Sequence, residues 1–106
     1  MEHTHWSPSE KKLAHAVFDS ALEQELAQTL AECKRRAAAL RCADEMWALS
    51  SFLEAAQREI QDKYDFRYSQ LLFVFGRLVR EGRVTLEQLQ GLGQDKREFI
   101  RRFVEL

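Results

Sequence analysis

Three histidines, two cysteines and 17 Asp/Glu are the side chains of this chain with the means to do chemistry. His3 stands third from a free amine, with His5 close by, a geometry that can chelate Cu(II) or Ni(II). Metal binding needs a fixed frame that a chain terminus rarely provides, so Met1 to Trp6 read as a flexible tail without a metal. His15 falls near a helix start and reads as a surface or packing residue. Cys33 and Cys42 lie in a helical pattern, about 13 Å apart along the axis at about 1.5 Å per residue, too far for an intrachain disulfide. Two reduced, half-buried cysteines are expected. The acids fall on solvent-facing helix positions, which argues against paired-carboxylate catalysis. There is no glycine-rich phosphate loop, no Cys-x-x-Cys and no His-Glu-x-x-His. No catalytic residue, metal or cofactor is expected, and the chemistry that remains is recognition.

Composition narrows the recognition further. The chain has 106 residues, enough for one small domain, and 45% hydrophobic against 31% charged residues fits a folded protein. One Pro and four Gly leave little turn chemistry, which disfavours an all-β fold. The net charge of −1 sets up no strong field for nucleic acid or an anionic membrane. Its distribution is only weakly polar: six Lys/Arg against nine Asp/Glu up to Gln57, then ten against eight. No apolar run approaches the roughly 18–20 residues of a membrane span. The polar first residues lack the apolar core of a signal peptide, so a cytoplasmic protein is expected. Lys63, Arg67, Arg77, Arg80, Arg83, Lys96, Arg97, Arg101 and Arg102 make the last part mildly basic, but interspersed acids dilute this into a solvated face.

The elements that must position any interaction surface are helices. Ser7-Pro8-Ser9-Glu10 has a cap, a proline at the first helical position and a capping-box glutamate. No Gly or Pro follows until Gly76. Leu22, Leu26, Leu30, Cys33, Ala37 and Leu40 form one apolar stripe, with Glu23, Gln24, Glu25, Gln28, Glu32, Lys34, Arg35 and Arg36 on the other faces. A helix from Ser7 to about Arg41 is roughly 50 Å long, whereas a globule of this size is about 30 Å across. The stripe therefore needs another helix, from this chain or a second copy. Asp44 can cap a second helix with Trp47, Leu49, Phe52, Leu53, Ala56, Ile60 and Tyr64 on its apolar face, and a break near Asp62–Asp65 is plausible. Tyr68 to Val79 is apolar almost all round and reads as a buried helix, closed by a glycine cap at Glu81-Gly82. Thr85-Leu86-Glu87-Gln88 opens a short helix with a capping-box pattern, and Gln94 to Val104 closes the chain with Phe99, Ile100 and Phe103 inward. The fold class is all-α: a long helical stalk over 7–63 and a small helical head over 64–106. Trp47, at the start of the second helix, fits core or dimer packing and also fits an interface anchor, since Trp is enriched at binding hot spots.

Trp47-Ala48-Leu49 with Phe52-Leu53, Arg58-Glu59-Ile60, and Asp62-Lys63-Tyr64-Asp65 with Arg67 come in a distinctive order. So do Phe73-Val74-Phe75, Leu78-Val79, Glu81-Gly82 and Asp95-Lys96, and upstream Trp6-Ser7, Ala14-His15-Ala16, Phe18 and Glu25-Leu26. Together these resemble the fluorescence recovery protein family of cyanobacteria over nearly the whole chain from Trp6. The resemblance implies a homodimer built along the stalks, here through Leu22, Leu26, Leu30, Cys33, Ala37, Leu40, Phe52 and Leu53. It implies binding to photoactivated orange carotenoid protein, faster return of that protein to its orange form, and its release from the phycobilisome. This is a shift of conformational populations by contact, with no bond made and no cofactor. The implied partner-binding positions centre on Trp47 and the second helix, with Phe73 matching a head aromatic. Family members carry a His-Asp pair where this chain has Ser50 and Ser51, and an important Arg where it has Gln57. Arg58 is adjacent, but one residue is a rotation of about 100° on a helix. Charge-assisted hydrogen bonds contribute about 1.5–3 kcal/mol each, so losing two predicts binding weaker by roughly two to four decades. The expectation is a diverged member with weak or no action on the carotenoid protein. The alternative is a helical regulator binding another protein or nucleic acid through its basic head.

Overall fold

The computed structural model describes residues 5–106, so the His3 chelation geometry lies outside the described residues. The described residues form four α-helices and no strand: α1 (Pro8–Ala38), α2 (Ala43–Lys63), α3 (Leu71–Arg80) and α4 (Gln94–Glu105), with a 3₁₀ turn at Glu87–Leu89 between the last two. None of these helices is long and apolar enough to cross a membrane.

The helix ends follow local chemistry. At the start of α1 the Glu10 N–H donates to Ser7 Oγ at 3.1 Å and the Ser7 N–H donates to Glu10 Oε1 at 2.9 Å, the two-way capping box expected there. The 31 residues of α1 make it about 46 Å long. It stops at Ala38, short of the expected Arg41, because Ala39 and Leu40 donate three residues back and tighten the last turn. α2 begins at Ala43, which puts Asp44 inside the first turn with Glu45 rather than at the cap. Both acids lie near the positive end of the helix dipole. The Glu45 carboxylate accepts the Arg41 N–H at 2.7 Å and bridges the turn between the helices. α3 starts at Leu71, not Tyr68, since residues 68–70 form a turn in which Gln70 and Leu71 both donate to the Arg67 carbonyl. It ends as expected: Gly82 has φ of 77°, its N–H reaches Val79 O, and the Arg83 N–H reaches Leu78 O. That left-handed glycine closes the helix with six-to-one and five-to-two bonds. The Thr85–Gln88 box forms too, with Thr85 N–H donating to Gln88 Oε1 and Gln88 N–H to Thr85 Oγ1.

The chain divides into two packed units, one made of residues up to Ala21 together with Tyr64–Leu106, the other of Leu22–Lys63. Residues 64–106 thus share their unit with the first part of α1. Trp6, expected in the flexible tail, is buried in this unit, with its ring 5.5 Å from that of Tyr68 and the Lys96 ammonium 5.1 Å from its centre. Phe18 meets Tyr64 and Phe66 edge-on, and His15, exposed as expected, stacks on Phe66 at 4.1 Å. The centre of the unit is Leu71, Phe75, Leu78, Leu89 and Ile100, all fully buried. Each such side chain contributes about 1.5–3 kcal/mol relative to exposure.

Two features set limits on this unit. Glu10 is buried and its carboxylate collects the N–H of Gly93 at 2.7 Å and the Lys96 ammonium at 3.4 Å, besides the capping bond to Ser7. Burial pushes the Glu10 carboxyl up, but the Ser7 and Gly93 N–H groups and Lys96 outweigh it and hold it below its ordinary 4.5. A depressed carboxyl adds stability that is present above its ordinary value and lost as pH falls through the folded value. Acid unfolding should therefore flatten below pH 4.5 in Glu10→Gln, read from denaturant midpoints between pH 7 and 3. The second limit is Gly76 on α3, where an added methyl would overlap the ring of Phe103 on α4. Gly76→Ala should cost about 1–3 kcal/mol by overpacking, despite the better helix propensity of Ala, and a urea melt reads it directly.

Candidate protein-interaction site

The Leu22–Lys63 unit is built differently. None of its apolar side chains is buried, and its only two buried residues are Glu25 and Lys63. Leu26, Leu30, Met46 and Trp47 are 49%, 55%, 45% and 64% exposed. Such a run of uncovered apolar side chains marks an interaction surface on a folded protein.

The stripe expected on α1 exists. Leu22 and Cys33 are half-buried, Leu26, Leu30 and Ala37 are exposed, and these five share one face of α1 at helical spacing, whereas Leu40, half-buried, lies beyond the end of the helix. Between α1 and α2 lies an open groove of about 710 Å³, walled by Leu26, Met46, Leu49, Leu53, Ala56 and Ile60, with Ser50 and Gln57 on its rim. Leu26 and Leu53, both expected at a dimer interface, are brought together here. Phe52 is not in this groove: the Arg36 guanidinium lies 3.8 Å over its ring, which turns it toward α1. Cys33 and Cys42 are free thiols, and Cys42 is exposed where half-burial was expected, because it lies in the turn after α1.

The partner-binding candidates fall into three groups. Ser50 and Gln57 border the groove. Trp47, Ser51 and Arg58 follow spacings of 4 and 7 and form an exposed stripe beside it, with Glu54, which also lines the groove, between them. Phe73 belongs to α3, in the other unit. It is 46% exposed and packs edge-on to Phe99 at 5.2 Å and Phe103 at 5.8 Å, while the Arg80 guanidinium covers Phe103 at 4.7 Å.

Interspersed acids dilute the basic residues over 64–106, as expected, though two of the lysines named with them are not solvated. Lys63 and Lys96, expected in solvent, are buried and paired with Glu25 and Glu10. Arg67 is paired with Asp65, and Arg77 and Arg83 both hold Glu81. The Arg67 guanidinium also holds the Asp65 carboxyl below its usual range. On α1 the Arg35 and Arg36 guanidinium groups, bonded to one carboxylate, pull Glu32 down to about 2. Glu25 was likewise expected on a solvated face. The sequence gives no local sign of either buried pair, since the partners are 38 and 86 residues apart. Only the capping box singled out Glu10, and for another role.

Comparison with known proteins bears on the same surface. Residues 6–103 match the family described as photoprotection regulator fluorescence recovery protein. The chain is 40% identical over 101 residues to the fluorescence recovery protein of Synechocystis sp., covering 95% of this chain and 93% of that protein. The solved structure of the Synechocystis protein superposes with a TM-score of 0.92 at 39% identity, and that of the Fremyella diplosiphon protein with 0.92 at 35%. Each covers 96% of this chain and all of the other. With sequence and backbone shared from Trp6 nearly to the end, the chain belongs to the fluorescence recovery protein family, non-enzymatic regulators of photoprotection.

Proposed function

We propose that the chain is a cytoplasmic homodimer that binds photoactivated orange carotenoid protein and speeds its return to the orange form, with lowered affinity. The observation that carries this reading is the Leu22–Lys63 unit, which belongs to the family fold yet buries no apolar side chain of its own. A second copy laid along the groove supplies the missing cover for Leu26, Leu49, Leu53 and Ile60. The Trp47, Ser51 and Arg58 stripe runs beside that groove and is the contact for the carotenoid protein, with Phe73 as a second contact.

Acceleration by contact alone requires the regulator to bind the barrier state of relaxation better than the red state. Large, rigid Trp47 supplies contact area at little entropic cost. Ser50, Ser51 and Gln57 supply no charge, so the contact is weaker than that of members with the His-Asp pair and the Arg. Gel filtration with the carotenoid protein, in darkness and under illumination, tests this. Co-elution under light, and only at high protein concentration, is the expected result. Tight co-elution in darkness, or none in light at any concentration, would refute it.

A further inference from the structure

In the Leu22–Lys63 unit the side chains that meet out of water are charged. The Lys63 ammonium donates to Glu25 Oε1 at 3.0 Å and Oε2 at 2.8 Å, across 38 residues of sequence, and both side chains are more than nine-tenths buried. Glu25 directly precedes Leu26, and Lys63 follows Ile60 and Gln61, all of which wall the groove. The pair therefore joins the two walls at the end away from the α1–α2 turn. Apolar contact is non-directional, and side chains as exposed as Leu26 and Leu53 discriminate only weakly between neighbouring registers. Helices offset by one residue differ by about 1.5 Å and 100°, which would take Leu26 out of line with Leu53 and Ile60. A buried ion pair does discriminate, because an offset leaves a charge without its partner out of water, and register is the best-attested use of such pairs.

We propose that Glu25 and Lys63 are positioning residues for assembly: they fix the register of α1 against α2, and with it the shape of the groove that receives a second copy. This rests on the homodimer reading above. The pair touches neither the second copy nor the carotenoid protein, and acts through Leu26, Leu53 and Ile60. It explains why a charge pair stays buried in a unit whose apolar side chains do not.

Sedimentation equilibrium of the full chain, Glu25→Gln, and the double exchange Glu25→Lys with Lys63→Glu tests the proposal, alongside amide hydrogen exchange in α3 and α4. Glu25→Gln should raise the dimer dissociation constant at least about tenfold while α3 and α4 keep their protection, and the exchange of charges should restore it to within about threefold. An unchanged dissociation constant in Glu25→Gln would overturn the positioning role and leave the homodimer standing. Loss of α3 and α4 protection along with the dimer, unrescued by the double exchange, would mean a general folding role instead. A parent chain that stays monomeric at every concentration would overturn the homodimer and the positioning role together.

Discussion

Leu26→Asp and Leu53→Asp are each expected to convert the proposed homodimer to a monomer, raising its dissociation constant by roughly two to three decades in sedimentation experiments. Both side chains face the same groove, and each is only partly covered within one chain, at 49% and 37% exposure. A carboxylate at either position stays hydrated in the monomer. Pairing would strip its water without supplying a cation, and the uncompensated charge costs several kcal/mol. A two-fold dimer carries every substitution twice. The monomer should keep its fold, because the core of Phe75, Leu71, Leu78, Leu89 and Ile100 belongs to the other unit. Unchanged helix content with halved mass is therefore the expected pattern. A dimer that persists in both variants would place the interface elsewhere.

Introducing the polar residues that the resemblance implies at the proposed contact should have the second large effect, in the opposite direction. Ser50→His, Ser51→Asp and Gln57→Arg together should tighten binding to the photoactivated carotenoid protein by roughly two to four decades, since charge-assisted hydrogen bonds contribute about 1.5–3 kcal/mol each. The three positions do not act alike. Ser51 shares the exposed stripe of Trp47 and Arg58, so Ser51→Asp should change partner binding and leave the dimer alone. Ser50 and Gln57 border the groove, so their replacements should alter dimer affinity as well. Titration of each single and of the triple variant, read as the relaxation rate of the carotenoid protein, separates the two effects. Equal affinity for parent and triple variant would mean that these positions do not carry the contact.

Much of the fold was legible because local chemistry decides it. The Ser7–Glu10 box, the Thr85–Gln88 box and the Gly82 cap appear where their residue types placed them. The stripe from Leu22 to Leu40 was visible as a 3.6-residue period. The burial of Trp6 is not legible locally, because it depends on Tyr68 and Lys96, far along the chain. Lys63 and Lys96 look solvated in the sequence for the same reason, since a lysine's partner across 38 or 86 residues leaves no periodic trace. The division of α1 between two units was also hidden, because its pattern runs unbroken through Ala21. Helical spacing alone could have separated the Trp47, Ser51 and Arg58 stripe from Ser50 and Gln57. What it could not give was the wall that α1 sets beside the latter pair.

The measurement that bears most directly on function is the red-to-orange relaxation of photoactivated orange carotenoid protein, followed by absorbance as this protein is added from equimolar amounts to large excess. The expected result is a rate that rises with concentration and saturates only in excess, as weakened contact through Trp47 and its stripe requires. A rate that stays at the unassisted value across the whole titration would contradict the proposed action on the carotenoid protein and leave only the shared fold.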